Sequence, residues 1–205
     1  MAETTFFFNI VFEDSLSEAV IERLLKLSAL NISISRRING HGCGYIRSRI
    51  HSFFSAAVHQ QPFFVLMDSD NEGCAANLIE NLVPENRRNN KCLFRIAVRE
   101  VESWLLADHY GISRFLGVNE KLINSFPETL QDPKGHLVQL ARKSRKKDIA
   151  RTIAPVPGTN VSVGPEYNRT LLPFVRDCWD LHSAAKRSES LRRAIAAIKA
   201  FKPAK

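Results

Sequence analysis

Residues 62–73 read PFFVLMDSDNEG, an apolar run that breaks directly into acids and turn formers. The run from Phe63 to Met67 is too short for a typical helix and is rich in strand formers. It is bounded by Pro62 on one side and by Ser, Asn and Gly on the other, so it reads as a buried strand. Its C-terminal end carries Asp68 and Asp70. Two positions apart, they share a face in an extended chain, and in a turn they can converge on one point. Clustered carboxylates repel each other unless protons or a cation intervene. A hard divalent ion such as Mg²⁺ accepts such oxygens, often one or two carboxylates together with the phosphates of a substrate.

The same rhythm recurs on either side. Residues 5–12, TFFFNIVF, predict a first strand that ends at Glu13-Asp14. Ser15 and Glu18 fit a capping box, and Leu16, Ala19, Val20, Leu24 and Leu27 follow with helical spacing. Residues 31–38, NISISRRI, predict a second strand. Gly40, Gly42 and Gly44 come next, without the spacing of a nucleotide or dinucleotide loop, and read as a flexible turn. Spaced glycines before a helix can also cradle a phosphate, and Arg36, Arg37, His41, Arg47 and Arg49 surround these. Helices are predicted over 45–58 and 74–83, the latter closed by Pro84. Residues 93–98, LFRIAV, predict a fourth strand that runs into REVESWLLAD.

Strands alternating with helices imply a parallel sheet, and right-handed crossovers put the C-terminal strand ends along one edge. Three of those ends carry acids: Glu13, the Asp68/Asp70 pair, and Glu100/Glu102. Ligand sites of open α/β sheets form along that edge, so carboxylates distant in sequence are expected to meet there.

On these residues the chain resembles the Toprim domain of topoisomerases, primases and a class of nucleases. Asp68, Asp70, Glu72 and Gly73 fit its Asp-x-Asp-x-x-Gly signature, and Glu13 stands where that family carries its Glu, with Asp14 in place of the usual following glycine. The segment from Arg99 to Asp108 is similar to a Glu-x-Glu-x-x-Leu segment of a Toprim-like family of unknown function whose members often occur with an ATPase. It is also similar to the Glu-bearing helix of overcoming-lysogenization-defect nucleases. The likeness to the first of these continues through GPEYNR, residues 164–169, where no chemistry can be read. The resemblance implies a Rossmann-like parallel sheet flanked by helices over residues 1–110. It implies Mg²⁺ or Mn²⁺ held by Asp68 and Asp70, with Glu13 handling a proton or a second metal. By the same likeness Glu100 or Glu102 would be a further metal ligand, with one of the two facing the site and Glu102 also a candidate catalytic residue, and Lys134 is a candidate catalytic lysine.

From Gly111 onward prolines cut the chain into short pieces, with helices predicted over 136–143, 169–179 and 190–201. Residues 111–205 are therefore expected to form a helical extension packed on the sheet. Residues 1–133 hold 13 Lys/Arg and 16 Asp/Glu, whereas residues 134–205 hold 16 and 5, giving net charges of −3 and +11. A basic half attached to an acidic one suggests polyanion binding beside carboxylate chemistry. The densest patch is Lys143, Arg145, Lys146, Lys147 and Arg151; with Arg36 and Arg37 these are the candidate nucleic-acid contacts.

No apolar run approaches the roughly 20 residues of a membrane span. The first residues lack the pattern of a secretory signal, and the four cysteines have neither zinc nor disulfide spacing. The expected setting is cytoplasmic. The leading expectation is a Mg²⁺-dependent nuclease acting on DNA or RNA, with nucleic acid and an ATPase as partners. The alternatives are a non-catalytic Toprim-like subunit and an Asp-x-Asp phosphotransferase of the haloacid-dehalogenase kind, which carries its Asp pair after the first strand and not the third.

Overall fold

The apolar run in the middle of the chain becomes a strand buried on both faces. In the computed structural model, which describes residues 4–72 and 74–202, this strand is β3 (Phe63–Asp68), and all of its residues are buried. Phe63, Val65 and Met67 enter one core and Phe64 and Leu66 another, as the two-residue period of a strand requires. Burial on both sides is why the run lacks the apolar/polar alternation of a half-exposed strand.

β3 is one of four parallel strands, with β1 (Thr5–Phe12), β2 (Asn31–Asn39) and β4 (Cys92–Ala97), in the order β2-β1-β3-β4. The arrangement is α/β and Rossmann-like. From β1 the chain first steps one way to β2, then back past β1 to β3 and on to β4. Right-handed crossovers must then change face when the direction of travel reverses. Accordingly α1 (Ser15–Leu25) packs into one core, and α2 (Cys43–His59) and α3 (Ala75–Leu82) into the other. The reversal makes the gap between the C-terminal ends of β1 and β3 the topological switch point, where open α/β sheets bind ligands.

The helices that follow all gather on the α1 face. They are α4 (Val101–Leu106), α5 (His109–Leu116), α6 (Pro133–Arg142), α7 (Lys147–Ile153), α8 (Tyr167–Pro173), α9 (Leu181–Ala185) and α10 (Glu189–Ala200). One continuous core runs from Phe8 in β1 to Phe201, whose rings meet edge-on with centroids 4.8 Å apart. The expected division at residue 110 falls inside α5, and residues on both sides of it share this core.

Local details depart from expectation in two places. The N-cap of α1 is Asp14, whose Oδ1 accepts the N–H groups of Leu16 and Ser17, so the Ser15/Glu18 capping box does not form. A carboxylate one residue earlier reaches the same orphan donors. The helix expected over 169–179 divides into α8 and a π-helical turn, Phe174–Cys178, because Pro173 has no N–H to continue the ladder. Among the described residues no helix is long and apolar enough to cross a membrane, and the four cysteines are free.

Candidate functional site

The three acidic strand ends come together at the C-terminal edge of the sheet. Glu13, just past β1, accepts the backbone N–H of Asp68 through Oε1 at 2.8 Å. Asp68 is the last residue of β3, and its Oδ1 accepts the N–H of Val101, the first residue of α4, at 3.1 Å. Asp68 thereby occupies the anion-binding N-terminus of α4. The loops after β3 and β4 are further joined by Asp70 N–H to the Arg99 carbonyl at 2.9 Å and by Arg99 N–H to Ser69 Oγ at 2.8 Å. Asp70 itself is exposed.

Backbone strain is concentrated at this edge. Among the described residues, the non-glycine residues with positive φ are His41, Asp70 and Arg99. They lie in the loops that follow β2, β3 and β4 respectively. An aspartate tolerates this conformation better than an arginine does, so Arg99 carries the greater strain.

Glu100 and Glu102 both face inward, toward Lys134. Its Nζ lies 3.6 Å from Glu100 Oε1 and 3.6 Å from Glu102 Oε1, and its backbone N–H donates to Glu100 Oε2 at 2.9 Å. Both acids therefore turn to the same lysine. Glu100 is extended, at φ −147° and ψ 158°, whereas Glu102 is already helical, so the pair does not diverge as two adjacent-but-one helical residues would. Lys134 sits in the first turn of α6, where the helix N-terminus also favours the Glu100 carboxylate.

Burial sets the electrostatics. Glu102 is 1 % exposed, and burial pushes its carboxyl up to about 7 despite the opposing pull of Lys134. Burial, then Glu102 and Glu13, hold Asp68 well above the usual carboxylate range. Glu13 is raised mainly by burial, with Asp70 and Asp14 adding to it and the Asp68 N–H opposing. Burial works against the charge of Lys134, but Glu102, Glu100 and Asp68 outweigh it and raise its pKa. One lysine thus faces a surplus of acids, and Glu102 Oε2 is buried without a hydrogen-bond partner in the described protein.

Three residues absent from the sequence-based set belong to this cluster. Asp14 caps α1 and accepts from Asn168 Nδ2 through its other oxygen at 3.1 Å. Tyr167 donates its hydroxyl to Glu102 Oε1 at 3.1 Å and is kept protonated by burial and by Glu102. Tyr167 and Asn168, neighbours in α8, therefore hold the loops after β4 and β1. Nothing in the spacing of GPEYNR signals contacts 65 and 154 residues away.

Carboxylate oxygens are the donors that a hard divalent ion takes. Glu13 and Asp68 each commit one oxygen to a backbone N–H, which fixes the group and leaves the second oxygen for a ligand. Exposed Asp70 follows two residues later. Among the described residues no three His, Cys, Asp or Glu side chains stand in ready-made ligating geometry. A Mg²⁺ site completed by substrate phosphates needs only one or two carboxylates. Glu72 of the acidic stretch pairs instead with Arg47 at 2.9 Å, and Gly73 lies outside the described residues.

The candidate nucleic-acid contacts do not behave as one patch. Arg36 is exposed on β2, but Arg37 pairs with Glu18 at 2.8 Å and Glu22 at 2.9 Å. Lys143, Arg145 and Lys147 are exposed and unpaired among the described residues. Lys146 Nζ donates to the Arg114 and Phe115 carbonyls at the end of α5, both at 3.0 Å, and Arg151 pairs with Asp148 on the surface.

Comparison of the chain with protein-family models, with curated proteins and with solved structures gave no match.

Proposed function

We propose that this protein is a Mg²⁺- or Mn²⁺-dependent nuclease of the Toprim type that hydrolyses phosphodiester bonds of DNA or RNA. The observation that carries the reading is the tie between Glu13 and Asp68 across the switch point, with Asp70 open to solvent beside them. Asp68 and Asp70 hold the ion, and Glu13 either joins them or handles a proton. Bound there, a divalent ion supplies Lewis acidity toward a phosphoryl oxygen and lowers the pKa of its water. Glu13, whose own pKa is raised by burial, is suited to exchange a proton with attacking water. Lys134 keeps Glu100 and Glu102 oriented behind the reacting edge. The exposed cations Lys143, Arg145 and Lys147 engage the phosphate backbone. The setting that goes with this reading is cytoplasmic, as the effector of an ATPase-associated defence system.

A second reading, a non-catalytic subunit that binds nucleic acid or an ATPase, is favoured by one observation: Lys134 already supplies a cation between Glu100 and Glu102. A phosphotransferase with Asp68 as nucleophile fits less well, because that carboxylate is buried and bonded to Val101 N–H. The test is incubation of the purified protein with plasmid DNA and with RNA, in Mg²⁺, in Mn²⁺ and in chelator, alone and with an ATPase partner. Metal-dependent strand cleavage supports the nuclease; its absence under every condition favours the binding subunit.

A further inference from the structure

β4 is an edge strand, and it carries an arginine at an unusual place. Leu93 and Ala97 enter the core on the α10 side of the sheet, and Arg95 lies between them on the same face. Its Nε is buried and has no hydrogen-bond partner in the described protein, while Nη1 donates only to the Phe94 carbonyl at 2.9 Å. Among the described residues no carboxylate pairs with it. Burial lowers its pKa, yet a guanidinium does not give up its proton inside a protein. A half-buried guanidinium with a buried, unanswered Nε and, among the described residues, no carboxylate paired with it is costly, and an anion would relieve it.

Arg95 lines a cavity of about 480 Å³ between α3, β4 and the start of α10, a size suited to a small molecule. Arg88 and Arg193 line it as well, and Ile79, Ile96 and Val98 give it an apolar wall. Its two acids are already engaged. Glu128 accepts from the Ser188 hydroxyl and from the N–H groups of Glu189 and Ser190, and Glu189 pairs with Arg192 and Arg193. Arg88 already gives Nη2 to Glu80 and Nε to the Val83 carbonyl, and Arg193 gives Nε to Glu189, so the donors left for a ligand are Arg95 Nε and the remaining guanidinium N–H groups, which the three oxygens of a phosphate monoester match better than the two of a carboxylate.

We propose that this cavity binds a small phosphate ester with an apolar or aromatic body, held by Arg95 as its principal counter-charge and by Arg88 and Arg193 at the rim. The site is separate from the carboxylate cluster and does not depend on the nuclease reading. Cys74, exposed on its wall, is a natural reporter. The N–H groups of Asn77 and Ala76, with Arg193, favour its thiolate.

The experiment uses the full chain carrying Cys43→Ser and Cys178→Ser, which leaves Cys74 as the exposed thiol and Cys92 buried. Phenyl phosphate, inorganic phosphate and benzoate are titrated by calorimetry in chelator at about 0.15 M salt, and Cys74 alkylation by iodoacetamide is followed in parallel. Phenyl phosphate is expected to bind once per chain, more tightly than either other probe, and to slow alkylation. Arg95→Gln is expected to weaken binding about tenfold or more, whereas Lys186→Ala, at an exposed lysine outside the cavity, leaves it unchanged. Should Arg95→Gln fail to fold, Arg193→Gln must weaken binding instead. The proposal is overturned by absence of saturable binding up to about 10 mM phenyl phosphate. It is equally overturned by binding that survives substitution of the arginine, by alkylation that is not slowed, or by benzoate binding as tightly as the phosphate ester.

Discussion

Glu13 Oε1 accepts the backbone N–H of Asp68 at 2.8 Å, so the side chain just past β1 closes the backbone end of β3 across the switch point. The contact does two things: it satisfies a buried donor, and it fixes one carboxylate beside another.

The two contributions separate by substitution. Glu13→Gln keeps an acceptor oxygen and removes a charge, whereas Glu13→Ala leaves the Asp68 N–H unanswered. Urea unfolding of the metal-free protein is expected to show a loss of about 1–3 kcal/mol for Glu13→Ala and little change for Glu13→Gln. Equal losses would mean that the charge, and not the hydrogen bond, holds the edge together.

The buried acids also set the pH dependence of stability. Glu102, Asp68 and Glu13 all have raised pKa values in the folded protein. A carboxyl that binds its proton more tightly when folded stabilises below its unfolded pKa and loses that contribution as pH rises through the folded one. For Glu102 the window runs from its ordinary value of 4.5 to about 7. In chelator, Tm is therefore expected to fall from about pH 5 to pH 7.5, and Glu102→Gln is expected to flatten that fall, by an amount on the order of 3 kcal/mol at most. A Tm that rises with pH over this window, or an undiminished fall in Glu102→Gln, would contradict the assignment.

Within the basic half, the cations divide by task. Lys146 holds the last carbonyls of α5, so Lys146→Ala is expected to cost about 1 kcal/mol of stability and to leave nucleic-acid affinity nearly unchanged. Lys143, Arg145 and Lys147 face solvent. Replacing all three by Ala is expected to weaken binding and to lower the log–log salt slope for duplex DNA by about 0.9 per lost phosphate contact. Filter binding at several salt concentrations distinguishes the two; an unchanged slope would make these residues a solvated surface only.

Much of this architecture was legible because period and punctuation agree. The run from Phe63 to Met67 and the alternation around Ile32 and Ile34 sit on strands of the parallel sheet, and Glu13, Asp68 with Asp70, and Glu100 with Glu102 stand at or just past the ends of β1, β3 and β4. What the sequence concealed are contacts that depend on the placement of distant helices. Lys134 and Tyr167 meet Glu102 only because α6 and α8 pack on the α1 face, and no local pattern encodes that. Likewise Arg37 and Lys146 look like free cations in sequence, and only the fold brings Glu18 and Glu22, or the end of α5, within their reach.

The most direct test of the central claim is Asp70→Asn assayed beside the wild type for cleavage in Mg²⁺. Asp70 occupies the left-handed region at φ 49°, which asparagine also tolerates, so the loop keeps its conformation while one charge is removed. The result expected is metal-dependent cleavage by the wild type and a loss of about 100-fold or more in the variant, roughly 2.7 kcal/mol of transition-state stabilisation. Nucleic-acid binding and the folded state are expected to persist, since phosphate contacts and metal ligands are different residues. Equal cleavage by both proteins, or none by either even beside an ATPase partner, would contradict the account.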